Sequence, residues 1–314
     1  MSVIVITEFI DVDAIRGALA GHDVHYDATL VDRRSDLTAA LGGARALIVR
    51  NRTKVDEALL AQAPQLEAVG RLGVGLDNID LAACKARGIA VYPATGANDA
   101  AVVEYVIGAM LTLLRGVFAA TDAVLAGQWP RTRLIGREAG GKTLGLVGFG
   151  GIGRKTAAAA AALGVTVCAC DPHLAESDPA WSQAWGKVAR RDLDALLQES
   201  DVVSLHVPLT EATRHIIDGA AISRMKRGAI LIDAARGGVL DEAAVAAALK
   251  SGALGGAALD VFAQEPLTQE RARVFAGCPN LILTPHVAGV TVEANARVSR
   301  MVAEKIRDHL AGGR

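Results

Sequence analysis

The sequence predicts an α/β chain made of two parallel, doubly wound sheets, one lying within the other along the chain. Three observations predict it. Short apolar runs alternate with helix-periodic segments almost from end to end. An alanine-rich stretch from Ile152 to Leu163 separates two runs that read as buried strands. A final helix, about Val292 to Leu310, has no strand after it and is expected to pack back on the first domain.

Val3 to Thr7 reads as the first strand and Asp11 to Leu19 as a helix through Val12, Ile15 and Leu19. Further strands are expected at Val24 to Tyr26, Ala46 to Val49, Leu66 to Val69 and Ile89 to Tyr92, with helices at Ser35 to Leu41, Lys54 to Ala63 and Asp80 to Arg87. That set makes a flavodoxin-like doubly wound sheet. A long apolar helix spans Ala97 to Gly116. Strands follow at Leu144 to Val147, Val165 to Cys170, Val202 to Val207, Ala229 to Asp233, Ala257 to Val261 and Leu281 to Thr284, separated by helices near Leu193, Ile222 and Glu242. The middle of the chain is therefore expected to hold a six-strand sheet of the Rossmann kind. The smaller domain is expected to comprise residues 1–97 and 291–314, with residues 98–290 inserted.

A length of 314 residues suits about two domains, and 51% apolar residues supply their cores. Formal net charge is −1 with no basic block, so neither nucleic acid nor an anionic membrane is suggested as a partner. A small molecule is the default ligand. The cysteines at 84, 168, 170 and 278 lack metal-ligand spacing and read as reduced, which fits a cytoplasmic protein, and no metal site is expected. The N-terminus lacks a basic segment ahead of its first apolar run, so no signal peptide is expected. Ala101 to Leu114 contains Glu104 and falls short of the ~20 residues that span a bilayer.

Between the first two strands of the inner sheet stands Gly148-Phe149-Gly150-Gly151-Ile152-Gly153. The first glycine permits a tight turn, the second lets backbone approach a pyrophosphate, and the third lets a helix pack on the strand. Asp171 closes the next strand at the distance of a carboxylate that binds adenosine ribose hydroxyls. Together they point to a dinucleotide. Asp171 would repel a 2′-phosphate, and Pro172-His173 offers no fixed cation beside it, so NAD is expected over NADP.

Ligands of such sheets bind beyond the carboxyl ends of strands. Arg50, Arg52 and Arg71 follow strands of the outer sheet, beside Gly73-Val74-Gly75, and suit an anionic substrate. Arg236, Glu265 and His286 follow strands of the inner sheet. Arginine can clamp a carboxylate, histidine can transfer the proton that accompanies a hydride, and a glutamate can orient the imidazole. Taken singly, each could be a loop or surface residue.

At this point the chain resembles the D-isomer-specific 2-hydroxyacid dehydrogenases, of the short phosphoglycerate dehydrogenase kind. The resemblance spans nearly its whole length. It rests on Gly73-Val74-Gly75-Leu76-Asp77-Asn78-Ile79-Asp80, the glycine motif with Asp171, His206-Val207-Pro208-Leu209-Thr210, Ala235-Arg236-Gly237-Gly238, Ala258-Leu259-Asp260-Val261-Phe262 with Glu265-Pro266, and Pro285-His286. It implies Arg236, Glu265 and His286 as the catalytic set, Arg50 with Gly73 to Gly75 as substrate contacts, and Gly151, Ile152, Asp171, Val207, Ala234, Asp260 and Gly289 as the NAD lining. It also suggests a homodimer. Departures from the usual pattern are Val74 for a hydroxyl residue, Asp233 for asparagine and Ala101 for serine. Arg52, a cation many relatives lack, hints at a doubly charged phospho- or sulfo-hydroxyacid. A rival reading is an NAD(H)-responsive corepressor-like protein on the same fold. Formate dehydrogenase is disfavoured because Glu265, rather than glutamine, accompanies His286.

Overall fold

The computed structural model describes residues 3–312, so the outer domain limits expected at 1 and 314 lie outside it. Contacts gather the chain into two compact units: the described residues up to Asn98 with those from Val290 onward, and Asp99–Gly289.

The first unit contains β1 (Val3–Ile6), α1 (Val12–Ile15), β2 (Asp23–Tyr26), α2 (Arg34–Leu41), β3 (Ala44–Val49), α3 (Glu57–Ala61), β4 (Ala68–Arg71), α4 (Leu81–Ala86) and β5 (Ala90–Pro93). All strands pair in parallel in the order β2-β1-β3-β4-β5, the flavodoxin-like arrangement. Ile4 and Ile6 face one core layer while Val5 faces the other, as period-two alternation requires. The first helix is shorter than expected. It ends at Ile15, two residues before Gly17, and the chain continues in turns.

The second unit contains α5 (Asp99–Arg115), α6 (Thr121–Leu125), β6 (Thr143–Val147), α7 (Gly151–Ala161), β7 (Thr166–Cys170), a small hairpin of β8 (Ser182–Gln183) and β9 (Gly186–Lys187), and β10 (Ala189–Arg190). It continues with α8 (Leu193–Glu199), β11 (Val202–Leu205), α9 (Gly219–Arg224), β12 (Ala229–Asp233), α10 (Glu242–Ser251), β13 (Leu254–Leu259), α11 (Gln269–Ala272) and β14 (Leu281–Leu283). The sheet has seven parallel strands, not six, in the order β10-β7-β6-β11-β12-β13-β14. The extra member is the two-residue β10, too short to leave a hydrophobic pattern. β13 also starts earlier than expected, at Leu254, because Gly255 and Gly256 carry no apolar side chain to mark a strand. A Cβ at Gly255 would lie 2.4 Å from the Gly228 carbonyl oxygen, and one at Gly256 would lie 2.4 Å from Asn280 Nδ2. The glycines admit close neighbours rather than end the strand.

The last helix, α12 (Val292–Leu310), returns to the first unit, as expected. Val298, Val302 and Ile306 join Ile4, Ile48 and Ala68 in one core layer. Among the described residues no single helix is long and apolar enough to cross a membrane; α5 with the bent segment through Leu125 passes by length and composition only, and α5 lies largely buried in the second unit.

Candidate active site

β6 delivers the chain into the glycine turn. Gly148 has φ +94°, and a Cβ there would lie 2.5 Å from the His206 carbonyl oxygen; at Gly153 it would lie 2.6 Å from that of Gly148. A side chain at Gly148 would push the turn off the segment after β11, and one at Gly153 would push α7 off the turn. Helices α8, α9 and α10 begin at Asp192, Asp218 and Asp241, whose carboxylates accept first-turn N–H groups. α7 begins at Gly150 with no side-chain cap, which leaves its first N–H groups to an anion. Asp171, after β7, accepts the Phe149 N–H at 2.9 Å and the His173 N–H at 3.0 Å. Since a carboxylate offers about four acceptor sites, capacity remains for ribose hydroxyls. The residues present therefore fit a dinucleotide. Val207 and Ala234 follow β11 and β12 at the same edge of the sheet, and Gly289 closes the loop after β14.

Arg236, Glu265 and His286 are brought together at that edge. His286 lies beyond β14 in a left-handed conformation, φ +55°, and its N–H donates to the Asp260 carbonyl at 2.8 Å. Its Nδ1 lies 2.7 Å from Glu265 Oε2. A carboxylate can only accept, so Nδ1 donates and Nε2 is the nitrogen left to exchange a proton with a ligand. Glu265 is fixed in turn, because its Oε1 accepts the Phe262 N–H at 3.1 Å. Burial pushes the Glu265 carboxyl up, but the hydrogen bond and charge of His286, the Phe262 N–H and the Arg236 guanidinium together hold it below its ordinary value. Arg236 Nη1 donates to the Ala235 carbonyl at 2.5 Å. The next residue brings its loop close, since a Cβ at Gly237 would lie 1.7 Å from the Phe262 carbonyl oxygen.

Asp260, expected in the NAD lining, receives donors from the protein itself. It is buried, and its carboxylate accepts the Thr284 hydroxyl and the N–H groups of Val287 and Ala288. Asp233 is fully buried too, with Oδ1 accepting the Ala235 N–H at 2.9 Å and Oδ2 without a partner. Burial first, and the nearby Asp260 charge second, push its carboxyl up to about 7 against the pull of the Ala235 and Arg236 N–H groups and the Arg236 charge. The raised value means that the folded state binds this proton more tightly than the unfolded chain does. Its contribution to stability is full below the ordinary carboxylate range and is lost as pH rises to about 7. Asp233→Asn is therefore expected to be more stable than the parent by roughly 4 kcal/mol at pH 8, with the difference fading near pH 4. Thermal unfolding across that range checks it; a difference independent of pH would refute it.

The first unit carries the other candidates. Glu8, which sequence reading missed, is buried after β1 and accepts the N–H groups of Arg50, Arg52 and Thr53 at 2.9 to 3.1 Å. It shapes the arginine loop from below. Arg50 Nη2 donates to Asn295 Oδ1 at 2.8 Å, its guanidinium lies 5.6 Å from the Phe9 ring centroid, and its Nε is buried without a partner. Burial lowers its pKa, opposed by Glu8 and Tyr26. Arg52, expected as a cation for substrate, extends into solvent and pairs with Asp32. Arg71 is the last residue of β4, donates to the Leu72 carbonyl at 3.1 Å, and lies over Gly73, where a Cβ would meet its Nη1 at 1.6 Å. Val74 and Gly75 continue that loop half-buried.

Residues 107–288 match the family described as D-isomer specific 2-hydroxyacid dehydrogenase, NAD binding domain. The whole chain is 53% identical over 308 residues to the (S)-sulfolactate dehydrogenase of Chromohalobacter salexigens, spanning 98% of each. It is 41% identical over 273 residues to the hydroxypyruvate reductase of Thermotoga maritima, spanning 87% of each. Among solved structures, D-lactate dehydrogenase from Aquifex aeolicus, complexed with NAD and lactic acid, superposes with a TM-score of 0.84 at 29% identity, covering 99% of this chain and 96% of that one.

Proposed function

The chain belongs to the D-isomer-specific 2-hydroxyacid dehydrogenases, and from that premise we propose that His286, Glu265 and Arg236 carry out its NAD-linked reaction on a 2-oxo acid bearing a second anionic group. It is an NAD-dependent oxidoreductase of the 2-hydroxy acid and 2-oxo acid pair. The observation that carries the assignment of roles is the 2.7 Å bond between His286 and Glu265 at the sheet edge, within the field of Arg236. When bound, the nicotinamide supplies a hydride to C2 of the oxo acid or takes one from C2 of the hydroxy acid. Gly148, Gly150, Gly151, Ile152 and Gly153 would hold its phosphates, and Asp171 its ribose. In reduction His286 Nε2 gives a proton to the carbonyl oxygen as the C=O π bond is lost, and in oxidation it takes that proton back. Glu265 accepts from Nδ1, which orients the ring and leaves Nε2 for that transfer. Arg236 holds the carboxylate and polarises the carbonyl.

The first unit serves as the substrate-binding domain, with Arg50 and Arg71 as the cations for the second anionic group. Arg52 is set aside in that role because it stands exposed, whereas Arg50 and Arg71 are half-buried. The (S)-sulfolactate dehydrogenase relative supports a sulfonate. In sulfolactate the sulfur-bearing carbon outranks the carboxylate, so the D arrangement carries the S label, and the relative's name accords with a D-specific family. Steady-state kinetics with hydroxypyruvate, glyoxylate, 3-phosphohydroxypyruvate, sulfopyruvate and phenylpyruvate test the reading. Arg71→Ala and Arg50→Ala are expected to lower kcat/KM for sulfopyruvate relative to glyoxylate by about tenfold or more, with Arg52→Ala changing the ratio by less than about twofold. The reverse ranking would overturn the assignment.

A second copy of this chain is the partner proposed for the second unit. Phe118, Leu125, Trp129 and Ile135 are 68%, 81%, 76% and 79% exposed within one short segment. An apolar cluster of that kind suits a homodimer. Sedimentation at micromolar concentration checks it, and a mass of 32.5 kDa would contradict it.

A further inference from the structure

We propose that Tyr105 and Thr284 are positioning residues for His286, forming with Asp260 a hydrogen-bonded brace that fixes the loop on which the imidazole stands. Tyr105 projects from α5, and its hydroxyl lies 2.7 Å from Thr284 Oγ1. Thr284 Oγ1 donates to Asp260 Oδ1 at 2.6 Å. A threonine hydroxyl has one proton, and here the carboxylate takes it. Tyr105 must therefore be the donor to Thr284, so the chain runs in one direction from phenol to hydroxyl to carboxylate.

That carboxylate also receives the Val287 N–H on the same oxygen, at 2.8 Å, and the Ala288 N–H on the other, at 2.8 Å. The Asp260 carbonyl takes the His286 N–H at 2.8 Å. Thus Thr284 on one side of His286 and Val287 and Ala288 on the other are tied to one buried residue. The tie matters because His286 stands at φ +55°, a conformation that a residue with a Cβ holds only when its surroundings impose it. Burial and the neighbouring Asp260 and Asp233 charges raise the Tyr105 pKa against the Thr284 hydrogen bond, which keeps the phenol protonated as the brace requires. Nothing in the chain pattern marks this role, because Tyr105 sits in an apolar helix face and its partner is 179 positions away.

The brace would act through His286 and touch neither substrate nor cofactor, so the inference rests on His286 being the proton-transfer group. Tyr105→Phe, Thr284→Val and Thr284→Ser are compared with His286→Gln, using whichever of the five 2-oxo acids named above the parent enzyme reduces fastest. Thr284→Val is expected to lower kcat about tenfold and Tyr105→Phe about threefold, each with KM for the oxo acid changed by less than about twofold. Thr284→Ser, which keeps the hydroxyl, is expected to stay within about twofold of the parent. A readout without turnover is amide hydrogen exchange in the free enzyme. Val287 and Ala288 are expected to exchange about tenfold faster in Thr284→Val and to be restored in Thr284→Ser.

Parent-like kcat and exchange in both Tyr105→Phe and Thr284→Val would overturn the brace while leaving the role of His286 intact. Faster exchange with unchanged kcat would make it merely structural and also overturn it. Parent-like kcat in His286→Gln would overturn the brace and the assignment of His286 together.

Discussion

His286→Gln is expected to lower kcat in both directions by about a thousandfold or more, while NADH affinity changes by less than about twofold. The reason is local. Glu265 accepts from Nδ1, which leaves Nε2 as the only imidazole position able to pass a proton to the carbonyl oxygen. Glutamine can fill the volume and can hydrogen-bond Glu265, but it has no proton to transfer near neutral pH. The residual rate would come from Arg236 and from holding the reactants together. A fall in kcat of less than about tenfold would mean that another group carries the proton.

Arg236→Gln is expected to lower kcat/KM by about a thousandfold, divided between kcat and KM, with Arg236→Lys recovering only a small part. Both numbers should change because the guanidinium would hold the carboxylate in the bound substrate and face the charge that develops on the oxygen. Lysine keeps the charge but not the planar fork. A second signature separates this role from simple loss of binding. The Arg236 charge is among the influences that hold Glu265 below its ordinary carboxylate value. That depression keeps Glu265 ionised, and able to support His286, until pH falls through its lowered pKa. Removing the charge raises the Glu265 pKa, so the acid limb of kcat/KM should move to higher pH in Arg236→Gln and not in Arg236→Lys. An unchanged limb in both variants would separate Arg236 from the pair.

Much of this arrangement is legible from local pattern, because a parallel sheet writes its strands as short apolar runs and leaves polar residues at their carboxyl ends. Arg236, Glu265 and His286 all stand in such places, and Asp171 follows β7 where a ribose carboxylate belongs. The glycine turn and its uncapped helix were readable for the same reason. What escaped notice depends on partners far apart in sequence. Asp260 reads as another carboxylate at a strand end, and only the fold shows both its oxygens turned toward the His286 loop. Glu8 reads as one acid among many, although it gathers three N–H groups from residues more than forty positions away. The pairing of Arg52 with Asp32, twenty positions earlier, is likewise visible only in the fold. Backbone crowding misled in the opposite direction at Gly255 and Gly256, where close neighbours exclude a side chain and the strand therefore lacks the residues that would announce it.

This chain moves a hydride between NAD(H) and C2 of a D-configured hydroxy acid. Reduction of sulfopyruvate by NADH carrying deuterium at C4 of the nicotinamide, with the configuration and isotope content of the product determined, tests it most directly. Deuterium at C2 of (S)-sulfolactate, with that product lost in His286→Gln, is the expected result. No turnover of sulfopyruvate or of any other oxo acid in the panel, or a product of L configuration, would contradict it.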